Sequence, residues 1–62
     1  MQKEYLVETK NAKGEWRVVD SASSSGVAQG HMDEYRKAQP EQAVRVVEYP
    51  SGKIIAIHDP HS

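Results

Sequence analysis

The sequence predicts an α+β domain in which a four-stranded antiparallel sheet carries one helix on one face, in the element order ββαββ. Two observations predict this class. Residues 4–20 and 43–58 each have strand-like composition around a central turn, and residues 26–38 between them have helical spacing. The 62 residues are enough for one small domain, which we expect to span residues 1–62.

The first hairpin is predicted to turn at residues 11–14, where Gly14 can adopt the left-handed conformation of a hairpin loop. In this register Glu8 lies opposite Arg17, so that opposite charges pair on one face of the sheet. The aromatic and apolar side chains then gather on the other face, and we expect Trp16 to lie in the core beneath the helix. That face comprises Tyr5, Val7, Thr9, Trp16 and Val18.

The helix is predicted over residues 26–38. Serines precede it and can cap its free amides, while Pro40 pushes the residue before it out of helical geometry. Gly30 lowers the intrinsic helix propensity by about 1 kcal/mol relative to alanine, so the helix depends on docking. At 100° per residue, the side chains of one stripe would face the sheet, namely Val27, Ala28, His31, Met32, Tyr35 and Ala38.

The second hairpin is apolar on both faces, which is unusual for a hairpin with one side in water. Pro50 and Gly52 predict a loop at residues 50–52. In that register one face carries Val44, Val46, Ile54 and Ala56, and the other carries Arg45, Val47, Tyr49, Lys53, Ile55 and Ile57. Placing the first and third strands side by side gives the strand order 2-1-3-4, and other orders also keep the two strands of each hairpin adjacent.

A single short helix can cover only one of these two faces. We expect the helix on the Val44 side and a protein partner on the other side, at Arg45, Val47, Tyr49, Lys53, Ile55 and Ile57. Exposed apolar patches rimmed by polar groups are typical of such contacts. The alternative is that sheet twist, Tyr49, the stem of Arg45 and the C-terminal residues cover this second side within the monomer.

The charge balance favours a protein partner over nucleic acid. Eight basic and nine acidic side chains leave a formal net charge of -1, whereas nucleic-acid binding usually draws on a basic excess. The alternative function is a nucleic-acid-binding accessory protein. It would use Trp16 and Tyr5 to stack bases, beside the basic residues Lys3, Arg17, Arg45 and Lys53.

The residues that could carry chemistry are better explained by structural roles. His58, Asp59 and His61 could bind a divalent metal, but their spacing is not diagnostic, and a solvated terminus explains them better. The serines before the helix have no evident catalytic base or oxyanion site, so capping is the expected role. His31 is expected to be a packed side chain. We therefore predict no catalytic residue, no metal and no cofactor.

The sequence as a whole favours a non-enzymatic protein-interaction module that docks a sheet face or edge, with a homodimer as one form of that docking. Its size is typical of small regulators or inhibitors, including those of phages and mobile elements. The absence of cysteine, of an apolar run of about 20 residues and of a signal-peptide core predicts a cytoplasmic protein without membrane contact. Met1 followed by polar residues is what the natural start of a short reading frame looks like.

Overall fold

A computed structural model describes residues 3–60 of the chain. Four strands pair in the order β2-β1-β3-β4, each antiparallel to its neighbours, with one helix between β2 and β3 in the chain. The predicted fold class and strand order are confirmed. The elements are β1 (Glu4–Lys10), β2 (Trp16–Ala22), α1 (Ser25–Ala38), β3 (Val44–Tyr49) and β4 (Ile54–His58).

The core lies between α1 and the face of the sheet formed mainly by β1 and β3. Ala28 and Met32 of the helix pack into one cluster with three valines of the sheet, whose side chains are fully buried. These are Val7, Val44 and Val46. The expectation that the Val44 and Val46 side faces the helix is confirmed.

Local capping sets the two ends of α1. The hydroxyl Oγ of Ser24 accepts a hydrogen bond from the backbone N–H of Val27 at 3.3 Å, as an N-cap serine should. At the other end the N–H of Gln39 donates to the carbonyl oxygen of Tyr35, and Pro40 follows. The buried stripe is narrower than predicted, since Val27 is 55% exposed.

The predicted register of the first hairpin is wrong by one residue. The loop comprises residues 12–14, because the N–H of Asn11 donates to the carbonyl oxygen of Glu15 at 2.8 Å. Glu15 therefore lies opposite Asn11 and not opposite the preceding residue, so the loop is one residue shorter than predicted. The side-chain oxygen of Asn11 accepts from the backbone N–H groups of Lys13 and Glu15, both at 2.9 Å, and so holds the shorter loop. This shift moves Trp16, Arg17 and Val18 to the other face of the sheet, and a second register shift, between Val7 and Glu8, leaves Asp20 and Ala22 on the helix side.

Trp16 and Val18 therefore lie on the side of the sheet away from the helix, which corrects the expectation that Trp16 is a core residue. Lys10 is paired with Trp16, and Glu8 with Val18. Because Val7 points toward α1 and side chains alternate along a strand, Glu8 and its cross-strand neighbour point the opposite way.

The second hairpin has the predicted pairing at its open end and a different one near its turn. Val46 pairs with Ala56 as expected. The loop is one residue longer than predicted, and the Tyr49–Pro50 peptide bond is cis. A register shift next to Val46 compensates for the extra loop residue, so that Val47 pairs with Ile54 while Val46 keeps its predicted partner. Ile55 is left on the helix side, half-buried against the core, and its predicted place beside Val47 is wrong.

Gly30, one of two exposed glycines of the helix, offers a test of this arrangement. We expect Gly30→Ala to raise the free energy of unfolding by about 0.5–1 kcal/mol, because alanine is the better helix former. A Cβ at Gly30 would meet no heavy atom within 4 Å outside its own helix. Gly52→Ala should instead lower stability, since Gly52 has a φ of 80°. Urea denaturation of both variants measures this; a destabilising Gly30→Ala would contradict the exposed position.

Candidate interaction surface

The side of the sheet away from α1 forms one continuous surface, which we call the open face. Strand alternation opposite the buried Val7 and Val46, together with cross-strand pairing, assigns its members. Those that concern its chemistry are Leu6, Glu8, Lys10, Trp16, Val18, Arg45, Val47, Tyr49, Ile54 and Ile57.

Two rows of cross-strand neighbours run across this face. The aliphatic row reads Ser21, Leu6, Val47 and Ile54 in the order of the strands. The charged row, one step along the strands, reads Val18, Glu8, Arg45 and Ile57. Each row thus crosses all four strands, and the charged row has its two charges at the centre with an aliphatic side chain at either end.

The two central charges form a well-defined ion pair. The Nε of Arg45 donates to Oε1 of Glu8 at 2.7 Å. Only 23% of the Arg45 side chain and 14% of the Glu8 side chain are exposed, so solvent screens the pair less than it screens a surface ion pair. The contact holds the two side chains in fixed positions on β1 and β3.

The indole of Trp16 gives Arg45 a second contact. The guanidinium carbon lies 4.3 Å from the centre of the ring, in the range of a cation–π interaction, and the Nζ of Lys10 lies 5.8 Å from it. Arg45 is therefore held by a carboxylate and by an aromatic ring. The middle of the open face is ordered before any partner binds.

The flanks of the open face remain accessible. Val18 is 54% exposed, Ile54 47% and Ile57 52%. The centre is covered within the chain, since Val47 is 9% exposed, but Tyr49 is itself 57% exposed and shields little. The alternative in which the monomer covers this side by itself holds only for the centre.

The structure places the residues predicted to bind a partner in three different parts of the fold. Arg45, Val47, Tyr49 and Ile57 lie on the open face. Ile55 lies on the helix side, and Lys53 is an exposed residue at the end of the turn.

Sequence reasoning placed the Glu8 side of the first hairpin away from the helix, as found, but it assigned three members of the open face to the helix side, namely Trp16, Val18 and Ile54. The available signal was Asn11, whose short amide side chain often bonds to loop amides two residues ahead. A loop started by that bond contains three residues and turns Trp16 outward.

Three of the four basic residues of the nucleic-acid alternative contact carboxylates, and the fourth, Lys53, is an exposed residue at the turn. The pairs are Lys3 with Glu48 (3.8 Å), Arg17 with Glu15 (4.0 Å) and Arg45 with Glu8 (2.7 Å). The predicted stacking platform is also incorrect, because Tyr5 packs against the core on the helix side while Trp16 is on the open face.

His31 and His58, the two described histidines, each have a polar contact within the fold. Nδ1 of His31 lies 3.5 Å from a carboxylate oxygen of Asp20, which joins α1 to β2. Nε2 of His58 lies 3.4 Å from the carbonyl oxygen of Pro40. Among residues 3–60 no cluster of three or more metal-ligating side chains occurs, and His61, which the sequence groups with His58 and Asp59, lies outside the described residues. Over that same range, no helix combines the length and hydropathy needed to cross a membrane.

Fold and surface together define a small ββαββ domain with a helix on one side of its sheet and an ordered, partly apolar surface on the other. No protein-family model, curated protein or solved structure matches the chain.

Proposed function

We propose that the protein is a non-enzymatic interaction module that docks its open face on a protein surface. The observation that supports this most is the charged row, in which half-exposed aliphatic side chains flank a fixed Glu8–Arg45 pair. Interfaces combine apolar area, which favours association, with placed charges, which set orientation and exclude wrong partners. A module of this size acts by covering part of its partner, as a regulator or inhibitor in the cytoplasm does.

Intramolecular ion pairing favours a protein partner over nucleic acid. A phosphate would have to compete with Glu8 for Arg45, which lies within 2.7 Å of that carboxylate. Nucleic-acid affinity comes largely from cations that release counterions when they meet phosphates, and cations already paired release few. The second candidate, a nucleic-acid accessory role, rests on Trp16 and Arg45 lying together on an accessible face. It predicts retardation of oligonucleotides that weakens steeply with salt.

Two matched aspartate variants test the proposed function. Ile57 on the open face is 52% exposed and Val27 on the helix is 55% exposed, so both positions should accept a charge without unfolding. Tagged wild type, Ile57→Asp and Val27→Asp are each used to capture proteins from a lysate of the native host.

We expect a protein, either another chain or the untagged form of this one, to be retained by wild type and Val27→Asp and lost with Ile57→Asp. Circular dichroism confirms that each variant is folded. Equal capture by all three folded proteins would contradict docking through the open face.

A further inference from the structure

We propose that the occupant of the open face is a second copy of this chain, packed face to face about a two-fold axis that runs parallel to the strands between β1 and β3. The inference rests on the proposed function of the same surface and names its partner. It is carried by the order of charges in the charged row and by the size of the face.

Rotation about this axis places the charged row of one copy over the charged row of the other, and the aliphatic row over the aliphatic row. It also reverses the order of the strands in the second copy relative to the first. Each β1 then faces β3 of the second copy, and each β2 faces β4. The result is an aligned packing of two sheets, the arrangement of a β-sandwich, with the same patch used by both copies. Each helix remains on the outside.

Because the strand order is reversed in the second copy, the charged rows of the two copies are complementary. The order in one copy is Val18, Glu8, Arg45, Ile57, and the second copy presents Ile57, Arg45, Glu8, Val18 above it. Each Glu8 therefore faces Arg45 of the second copy, and each Val18 faces Ile57. The two ion pairs within the copies become a ring of four alternating charges, while the exposed aliphatic side chains cover one another.

The charges also select the direction of the axis. An axis along the charged row, perpendicular to the strands, would place Glu8 over Glu8 and Arg45 over Arg45. Like charges brought together in a partly desolvated interface repel each other and oppose association. The aliphatic row favours the same axis, because the parallel axis brings Leu6 over Val47, whereas an axis along the charged row would bring Leu6 over Lys10.

The area of the face is sufficient for a weak dimer. Four strands about 4.8 Å apart and about 20 Å long give a footprint of roughly 400 Å² per copy, or about 800 Å² for both. Specific weak complexes lie below about 1,200 Å² in total. Complexes of this size associate reversibly, and a dissociation constant on the order of tens of micromolar is the expected result of the test below.

Analytical ultracentrifugation of the purified chain at about 5–500 µM tests the dimer at concentrations that bracket this constant. We expect wild type and Val27→Asp to shift from monomer to dimer, and folded Ile57→Asp to associate at least about tenfold more weakly. A wild type that is monomeric throughout the range would overturn the inference. So would a dimer that Ile57→Asp leaves intact, which is the outcome for pairing through an edge strand.

A charge-exchange variant tests the axis. Glu8→Arg combined with Arg45→Glu keeps the net charge and the pair within each copy, and it keeps complementarity between two exchanged copies. Mixed with wild type, however, it places Glu8 of the wild-type copy opposite the carboxylate that Arg45→Glu introduces. We expect the folded exchange variant to self-associate, and its mixed dimer with wild type to form at least about tenfold more weakly. Free mixing of the two would overturn the proposed axis.

The two proposals fail in different ways. If the purified chain is monomeric but capture from lysate still depends on Ile57, the second copy is ruled out and the open face docks on another protein. If neither ultracentrifugation nor capture responds to Ile57→Asp, the interaction function fails as well. Salt-sensitive oligonucleotide retardation by a purely monomeric chain would overturn the dimer and replace it with the nucleic-acid alternative.

Discussion

Met32→Ala is expected to unfold a large fraction of the protein at 25 °C. Met32 is 5% exposed and packs from α1 against the buried valines of β1 and β3. Truncating a buried methionine to alanine costs about 2–5 kcal/mol through lost burial and the cavity left behind. A domain of about 60 residues without disulfides or metal rarely has a free energy of unfolding above about 3–5 kcal/mol. This one substitution therefore removes most of that stability. Urea denaturation followed by circular dichroism measures the loss.

Val27→Ala is the matched control on the same helix. Val27 belongs to the stripe that helical spacing assigns to the core, yet it is 55% exposed. Its truncation should therefore change stability by less than about 0.5 kcal/mol, as exposed positions usually do. Similar losses for the two variants would mean that α1 docks with a different rotation about its axis. Both are measured at low micromolar concentration, where the proposed dimer contributes little.

Glu8→Ala is expected to lower the free energy of unfolding of the monomer by about 1–3 kcal/mol, because it leaves a partly buried guanidinium without its carboxylate. Arg45 loses the hydrogen bond at 2.7 Å and retains only its contact with Trp16. A double-mutant cycle with Arg45→Ala should give a coupling energy of about 1–2 kcal/mol, since the two side chains are in direct contact. Thermal or urea unfolding of the four proteins provides the cycle.

Asp33→Asn is the control for an exposed ion pair. Asp33 lies 3.8 Å from Arg36 on the helix, and about half or more of each side chain is exposed. Exposed pairs contribute about 0–1 kcal/mol, and salt screens them. The Glu8–Arg45 coupling should exceed the effect of Asp33→Asn and should persist better in high salt. A cycle energy near zero would contradict the structural role given to this pair.

The helix shows how far sequence patterns reach. A serine before the helix, Pro40 after it and apolar residues at helical spacing correctly predicted α1 to within one residue at its start. These signals act through hydrogen bonds and steric contacts within a few residues, so they do not depend on the rest of the fold. They did not reveal which half of the apolar stripe is buried, because that depends on how the sheet twists beneath it.

The candidate site shows what local sequence patterns did not predict, namely the register of the first hairpin. Pairing opposite charges favoured Glu8 opposite Arg17, but the structure pairs Glu8 with Val18 and brings Arg45 to it from β3. A surface ion pair contributes less than about 1 kcal/mol, whereas the loop closed by Asn11 satisfies several backbone amides together. The stronger local interaction set the register.

The sequence by itself determined the class of this protein: two hairpins with one helix between them, and a sheet too apolar for one helix to cover. It left more than one strand order possible, and the structure has the order 2-1-3-4. Only the tertiary structure decided which side chains occupy the uncovered face. A three-residue loop turned Trp16 outward, and a register shift beside Val46 exchanged Ile54 for Ile55. The physical reason is that the side chains of a strand alternate with a period of two, so one residue more or less in a loop or bulge exchanges the two faces without changing the element order.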